Sequence, residues 1–457
     1  MPYAVVIAFI VSLFTTSLAD QTAFLADARY NKGEYGSYVT QTFKSNPQVT
    51  AAPIVNFMKP FTSCDDGSYL MICPRGTAVD PTLMILDVTG SPVWASTQKY
   101  GEVYNLQVQR YKGEPFLTFW GGNDSIGGHG IGTHFMLDQQ YRERYRIHAA
   151  SGLGADLHVF SITESGTALV SIYNKKLTNL SSKVGDERQG WIWDSIFQEV
   201  DLETGEAVFE WRANDHIDVA QSYAGVFMAT EAFPWDAYHL NSVGKDDLGN
   251  YLISCRYLRA VTYIDGKTGD VLWQLGGHNN SFRDLSAGKA TTFLGQHDSH
   301  FLQKDEENGK TFVTLFNNNG DWEHRASDQS TGLQIQLDLS AMTAEVSLEV
   351  FSPTAKVLSV SQGSYQTLPN GHIVLGYGLN GAMSEFSEDG KLLCEAYFQP
   401  LAKFGSGQVQ SYRNLRFNWT AYPTTKPSLV FDEEEQKLFM SWNGATEVAA
   451  WLLVDSD

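Results

Sequence analysis

Apolar and polar residues alternate in short runs along most of this chain, and the runs are separated by tight-turn signals. Turns of the form Asp-x-x-Gly, each followed by a short apolar run containing an aromatic, recur from one end to the other. They read LDVTGSPVW from Leu86, VDLETGEAVFEW from Val200, IDGKTGDVLW from Ile264 and FSEDGKLLC from Phe386, with weaker copies LDQQYRERY from Leu137 and LDLSAMTAEV from Leu337. From Asp87 through Asp138, Asp201, Asp265, Asp338 and Asp389 the intervals are 51, 63, 64, 73 and 51 residues. Each turn closes a hairpin, because Asp and Gly supply the reversal and alternating apolar residues supply the strands. Second hairpins lie between them, as in VGKDDLGNYLIS from Val243 and YQTLPNGHIVLGY from Tyr365. Six repeats of about four strands predict an all-β, six-bladed propeller over residues 61–457. Radial closure also removes the exposed strand edges of a long all-β chain. A pair of stacked sandwiches is the alternative, and the roughly constant period argues against it. The strands around Phe431 to Trp442 have no full repeat and are expected to complete the ring by pairing with N-terminal strands.

Three segments fall outside the repeat. Residues 1–19, MPYAVVIAFIVSLFTTSLA, have the layout of a signal peptide ending in Ser17-Leu18-Ala19, although no basic residue precedes the apolar run. A membrane anchor would need roughly twenty apolar residues, and this run is broken by Ser12, Thr15, Thr16 and Ser17. Residues 20–60 read as a polar N-terminal arm wrapping the ring. The stretch from Gln221 to Trp235 reads as a short helix or an insertion over one face.

Composition narrows the partners. With 52 acidic against 32 basic residues the formal charge is −20, a field that repels nucleic acid and anionic membranes. It gives no long-range help to an anionic substrate, so a local Arg or His cluster must do that work. Secretion, to the exterior or the secretory lumen, makes the sequons at Asn123, Asn179, Asn279 and Asn418 glycan sites on loops. The four cysteines, Cys64, Cys73, Cys255 and Cys394, form no zinc pattern. Cys64 and Cys394 lie in the first and last repeats, which a closed ring makes neighbours, so they are expected to form a disulfide; Cys64 with Cys73 is the rival pair. The Gly-rich run from Gly121 to His134 reads as a loop and lacks the strand-to-helix context and lysine of a nucleotide cradle. No cofactor and no metal site are expected: His297 and His300 are the only close histidine pair, with no third ligand at a recognisable spacing.

Propeller ligands bind on the axis, where the innermost strands present polar side chains. Four strand entries carry polar residues in apolar surroundings: ADLHVF with Asp156 and His158; AYHLNSV with His239, Asn241 and Ser242; ISCRYL with Arg256; and GQHDSHF with Gln296, His297, Asp298 and His300. A histidine serves as base, nucleophile or acid, and an arginine clamps an anionic oxygen. His239, His297 and Arg256 are therefore the catalytic candidates. His158, Asn241, Gln296, Asp298 and Trp273 are expected to bind substrate, and Asp298 fixes a tautomer if it turns toward a ring nitrogen of His297. Buried histidines are also common as ordinary core residues. His129, His134, His148, His216, His278, His324 and His372 are expected on loops or the surface.

These residues carry a resemblance. AYHLNSVGKDDLGNYLISCRYLRAVTYIDGKTGDVLWQLGG, GQHDSHF, TLFNNNG, YKGEPFLTFWGG, ADLHVF, DSIFQEVDLETGEAVFEW and SYRNLRFNW closely resemble the fungal branch of the arylsulfotransferase-like family, from about residue 50 to residue 453. The resemblance implies a six-bladed propeller. Its bacterial members imply passage of a sulfuryl group from a phenyl sulfate to a phenol through a histidine, without a nucleotide. One departure stands out: the family's F-D-N-G segment reads Phe316-Asn317-Asn318-Asn319-Gly320, without the acid. Some fungal relatives imply hetero-Diels–Alder coupling of tropolone quinone methides to terpene alkenes, which needs an aromatic cavity and a few donors. The acidic chain, the missing Asp and the sparse histidines favour this pericyclase reading, with small aromatic or terpenoid substrates. Sulfuryl transfer and a non-catalytic binding propeller are the alternatives.

Overall fold

A computed structural model describes residues 22–452 apart from 306–309. The expected signal segment lies outside the described residues. The chain forms a six-bladed β-propeller. Blade 1 contains Tyr69–Ile72, Met84–Leu86 and Pro92–Ala95; blade 2 runs from Glu102–Tyr111 to Glu143–Ile147; blade 3 from Phe160–Ile162 to Ala207–Arg212. Blade 4 runs from Leu240–Lys245 to Val271–Gly276, blade 5 from His297–Asp305 to Thr343–Val350, and blade 6 from Ser364–Thr367 to Leu392–Tyr397. Every blade is an antiparallel meander of four strands.

The repeated turn has one place in each blade: it joins the third strand to the fourth, at the outer rim. Asp87, Asp138, Asp201, Asp265 and Asp338 each accept two backbone N–H groups across their own turn through Oδ1. In blade 6 the matching position is Ser387, whose Oγ accepts the Lys391 N–H, while Asp389 sits inside the turn and accepts from Ser387. The true repeat is therefore two residues off the Asp389 mark.

Hydrophobic burial follows the junctions between blades. Six clusters of buried side chains each interleave residues of two neighbouring blades, so every sheet face is covered by the next sheet. Trp273 belongs to this layer. It stacks on Tyr263 at 5.0 Å and meets Phe282 edge-on at 5.3 Å in the core between blades 4 and 5. Large aromatic area is what such a junction needs, so Trp273 does not reach an axial ligand.

Ring closure differs from the expectation. Among the described residues Ser428–Asp432 and Lys437–Ser441 pair only with each other. The missing innermost strand of blade 1 is Leu415–Phe417, which pairs with Tyr69–Ile72. Asn56–Lys59 adds to the outer edge of blade 6, and Phe24–Leu25 pairs with it in turn. Both chain ends thus cross the same seam. Cys64, at the end of the turn Phe61–Ser63 that follows Asn56–Lys59 and leads to Tyr69–Ile72, is bonded to Cys394 on the outer strand of blade 6, as the closed ring predicted; Cys73 and Cys255 are free and buried.

The Gly-rich run also differs. Gly121–Asn123 and Ile131–His134 belong to paired strands of blade 2, and only the intervening turn is irregular. Glycine is needed because the Trp120 ring lies against this backbone: a Cβ at Gly132 would come within 2.5 Å of it, and one at Gly130 within 2.8 Å. Of the histidines expected on loops or the surface, His129 lies in that turn but is buried, and His134 lies on a strand and is buried. His134 stacks on Phe160 at 4.6 Å with neither ring nitrogen hydrogen-bonded.

Candidate active site on the propeller axis

A cavity of about 430 Å³ opens at one end of the axis. His158, His239, Arg256 and His297 line it together. Each comes from the entry to an inner strand or from the turn beside one, and these entries converge where the blades meet.

Two of the histidines are built alike. His158 Nδ1 lies 2.6 Å from Asp156 Oδ2, and that carboxylate also accepts the Ser171 hydroxyl and the Gly130 N–H. His239 Nδ1 lies 2.5 Å from Asp236 Oδ2. His239 adopts φ 55°, a left-handed backbone that costs a non-glycine residue about 1 kcal/mol or more and that recurs where a side chain must be aimed. A carboxylate on Nδ1 fixes the proton there and leaves Nε2 as the basic nitrogen. Neither Nε2 has a hydrogen-bond partner among the described residues, and the two rings meet edge to face with centroids 5.1 Å apart. Burial pulls the His239 pKa below its ordinary value, with Asp236 opposing. Asp236 itself is held below the usual carboxylate range despite its burial, by His239.

His297 is different. Its Nδ1 lies 2.8 Å from both Gly295 O and Asn318 Oδ1, so it carries the proton, and the Gln362 N–H donates to Nε2 at 3.2 Å. Both nitrogens are occupied. Burial and the neighbouring Arg256 push its pKa well below normal, so the ring stays neutral. Its partner is the amide of Asn318, within the segment where the sequence lacks an acid; Asn318 Nδ2 donates to Ser359 O and Gln362 O, which turns Oδ1 toward the ring.

Arg256 begins the short turn after Tyr251–Cys255, and its backbone N–H donates to His239 O at 2.9 Å. Only 4% of its surface is exposed. Nη2 donates to Val360 O at 2.7 Å, Nε has no partner, and no carboxylate lies within ion-pair distance among the described residues. Arg75, across the cavity, is by contrast neutralised: it donates to Asp124 and Tyr104 and pairs with Glu102 at 3.3 Å.

Four expected substrate residues lie elsewhere or act otherwise. Asn241 and Gln296 are fully buried pegs between blades 4 and 5: Asn241 Nδ2 donates to Gln296 O, and Gln296 Nε2 donates to Cys255 O and Ala260 O. Asp298 does not touch His297. It accepts the Tyr365 N–H, lies 2.9 Å from His300 Nε2 and 3.1 Å from Arg413 Nε, and lines a separate 390 Å³ cavity at the opposite end of the axis. Trp273 is in the inter-blade core described above.

Against this geometry, the family described as arylsulfotransferase (ASST) matches residues 107–399, more than half of the chain. The chain belongs to the arylsulfotransferase family. That membership points to enzymatic activity of an aryl sulfotransferase-like kind, on a propeller whose axial cavity holds histidine and arginine. A search of curated proteins gave no significant match. Among solved structures, a Bacteroides caccae protein of unknown function aligns at 16% identity with a TM-score of 0.43, covering 77% of this chain and 99% of its own. Apo AztD from Citrobacter koseri aligns at 10% identity with a TM-score of 0.33, covering 77% and 99%. These likenesses are too distant to carry an argument about function.

Three residues outside the sequence-derived candidates complete the site of this arylsulfotransferase-family chain: Tyr412 lines the cavity, and His129 and Asp236 stand behind it. Tyr412, just ahead of the closing strand, places its ring 5.4 Å from His158 and 6.1 Å from His297, with its hydroxyl buried and unpartnered. His129 stacks on Tyr173 at 4.3 Å behind the two dyads, its Nδ1 unpartnered and its pKa lowered to about 4 by burial. Asp236 was legible as an acid three residues before His239.

Proposed function

We propose that this protein transfers a sulfuryl group from an aryl sulfate to a phenol through His239. The observation that carries the reading is Arg256, a buried guanidinium without a carboxylate, next to a histidine whose Nε2 is free and whose Nδ1 is held by Asp236. A buried unpaired cation is costly, and an anionic ligand removes that cost. Arg256 holds the sulfuryl oxygens while the His239 Nε2 lone pair forms the N–S bond. The S–O bond to the aryl group breaks, its electron pair leaves as phenolate, and the phenolate takes a proton from water. In the second half the acceptor phenol gives its proton to His158, its oxygen attacks sulfur, and the N–S pair returns to Nε2. The expected thinness of the histidine cluster came from counting residues in the sequence; on the axis three histidines share one cavity.

The pericyclase reading has one observation in its favour, an apolar cleft beside the cavity. There Arg256 would polarise an enone oxygen and aromatic walls would hold the alkene. We place the activity on small aromatic substrates in the secretory lumen or outside the cell, with glycans on Asn123, Asn179, Asn279 and Asn418, all exposed; the disulfide fits that compartment. Incubation with 4-nitrophenyl sulfate and a phenol acceptor tests the main reading. Acceptor-dependent release of 4-nitrophenol and a trapped sulfuryl–histidine peptide containing His239 are expected. No donor cleavage would overturn it, and face-selective cycloaddition of a quinone methide without donor cleavage would install the second reading.

A further inference from the structure

The segment between blades 3 and 4 belongs to no blade. After Ala213–His216 and the turn Val219–Gln221 it runs irregularly to Trp235–Asp236, which pairs with Ile192 and Trp193 of blade 3. The Tyr223 N–H donates to Tyr257 O at 2.7 Å, so the segment starts from the rim of the axial cavity. It ends at Asp236, the carboxylate that holds His239. Between these anchors it presents Phe227, Met228 and Phe233, which with Trp322 from blade 5 are left exposed, Phe227 at 81% and Trp322 at 68%. Large apolar side chains clustered in water mark a binding surface.

These residues wall a cleft of about 360 Å³ together with Tyr223, Pro234 and Trp235. Arg256, Tyr257 and Trp322 line this cleft and the axial cavity alike, so the two spaces adjoin. Asp236, Arg256, Arg259, Asp321, Glu323 and His324 also line the cleft, and Arg259 lies over the Tyr223 ring and 3.7 Å from Asp321. At roughly 30 Å³ per water-sized group, the cleft has room for about ten such groups.

We propose that the cleft receives a neutral hydrocarbon substituent of the substrate, so that this protein acts on phenols carrying an alkyl, prenyl or fused-ring extension. The inference rests on the axial cavity taking the phenolic oxygen. The polar head lies at Arg256 and His239, and the extension passes Tyr257 and Trp322 into the cleft. One inserted segment thereby carries both the specificity wall and the carboxylate of the reacting histidine.

The test is calorimetric titration of the intact protein with 4-alkylphenols from 4-ethylphenol to 4-octylphenol. Each added methylene is expected to tighten binding about threefold to fourfold until the cleft is full. In Phe233→Ser/Trp322→Ser, whose changed residues are exposed and whose melting temperature serves as the folding control, the series flattens to less than about 1.5-fold per methylene. Equal affinity along the series for the parent protein overturns the proposal, as does an undiminished slope in the double variant. Binding is read without turnover: an intact slope with no aryl sulfate cleavage retires sulfuryl transfer and keeps the cleft, whereas cleavage with a flat series does the reverse.

Discussion

Arg416 and Arg256 are both buried, and the surroundings of the two guanidinium groups differ. Arg416, on the closing strand, donates to Cys64 O, Ser68 O, Glu385 and Asp66, and Glu385 also lies 2.8 Å from His372 Nδ1. It ties the last strand to the disulfide loop and to blade 6, and its charge is answered on the spot. Among the described residues Arg256 has one carbonyl and no acid as side-chain partner. A buried charge whose partners are all protein holds a structure together; one that faces a cavity without a counterion is arranged for something absent from the chain. The histidines divide the same way, since His297 has both nitrogens occupied and His239 has one free.

Substitution can break this contrast. The largest effect is expected at His239: His239→Ala should lower aryl sulfate turnover about 10³-fold or more, because the covalent route goes with the nucleophile, while the melting temperature stays within a few degrees. Retained turnover in an initial-rate assay would move the chemistry elsewhere. Arg416→Met should destabilise by about 3–5 kcal/mol in urea unfolding, since Glu385 is left buried without its cation, with turnover per folded molecule unchanged. The same change at Arg256 should act in reverse: Arg256→Met lowers turnover about 10²–10³-fold and leaves unfolding unchanged or slightly harder. If the two variants behave alike, the distinction between them fails.

The smallest effect is on pH. Burial holds His134 near a pKa of about 3 and His129 near about 4, against about 6.5 in an unfolded chain. Between pH 6.5 and these values the unfolded chain binds more protons, so stability falls as pH falls through that window. His134→Phe should remove up to about 2 kcal/mol of the loss between pH 6.5 and 4.5, measured as a shallower decline in melting temperature. An unchanged decline would show that His134 does not report its burial.

The blades were legible because the turn at the third and fourth strands repeats its chemistry, Asp accepting across the turn in five of the six. Closure was not: Leu415–Phe417 is three residues long and has no turn of its own, while the hairpin Ser428–Ser441 shows a clear pattern and pairs with nothing else. At the site, polar residues at strand entries led to His158, His239, Arg256 and His297. The same signal led to Asn241 and Gln296, because a buried amide pegging two blades looks identical in sequence to one that meets a ligand. Arg75 and Tyr412 were passed over because they lie outside the four entries singled out.

The order of synthesis gives the closing strand a further meaning. Tyr69–Ile72 is made early but finds its inner neighbour only when Leu415–Phe417 has left the ribosome. At about 5–20 residues per second that is a wait of roughly 17 to 70 seconds. Throughout that interval blade 1 has an open edge and the axial cavity lacks Tyr412. Cys64 likewise waits for Cys394. A chain truncated before Tyr412 therefore has blade 1 without its inner strand, an unlatched junction with blade 6 and no complete site, so that activity depends on the closing strand.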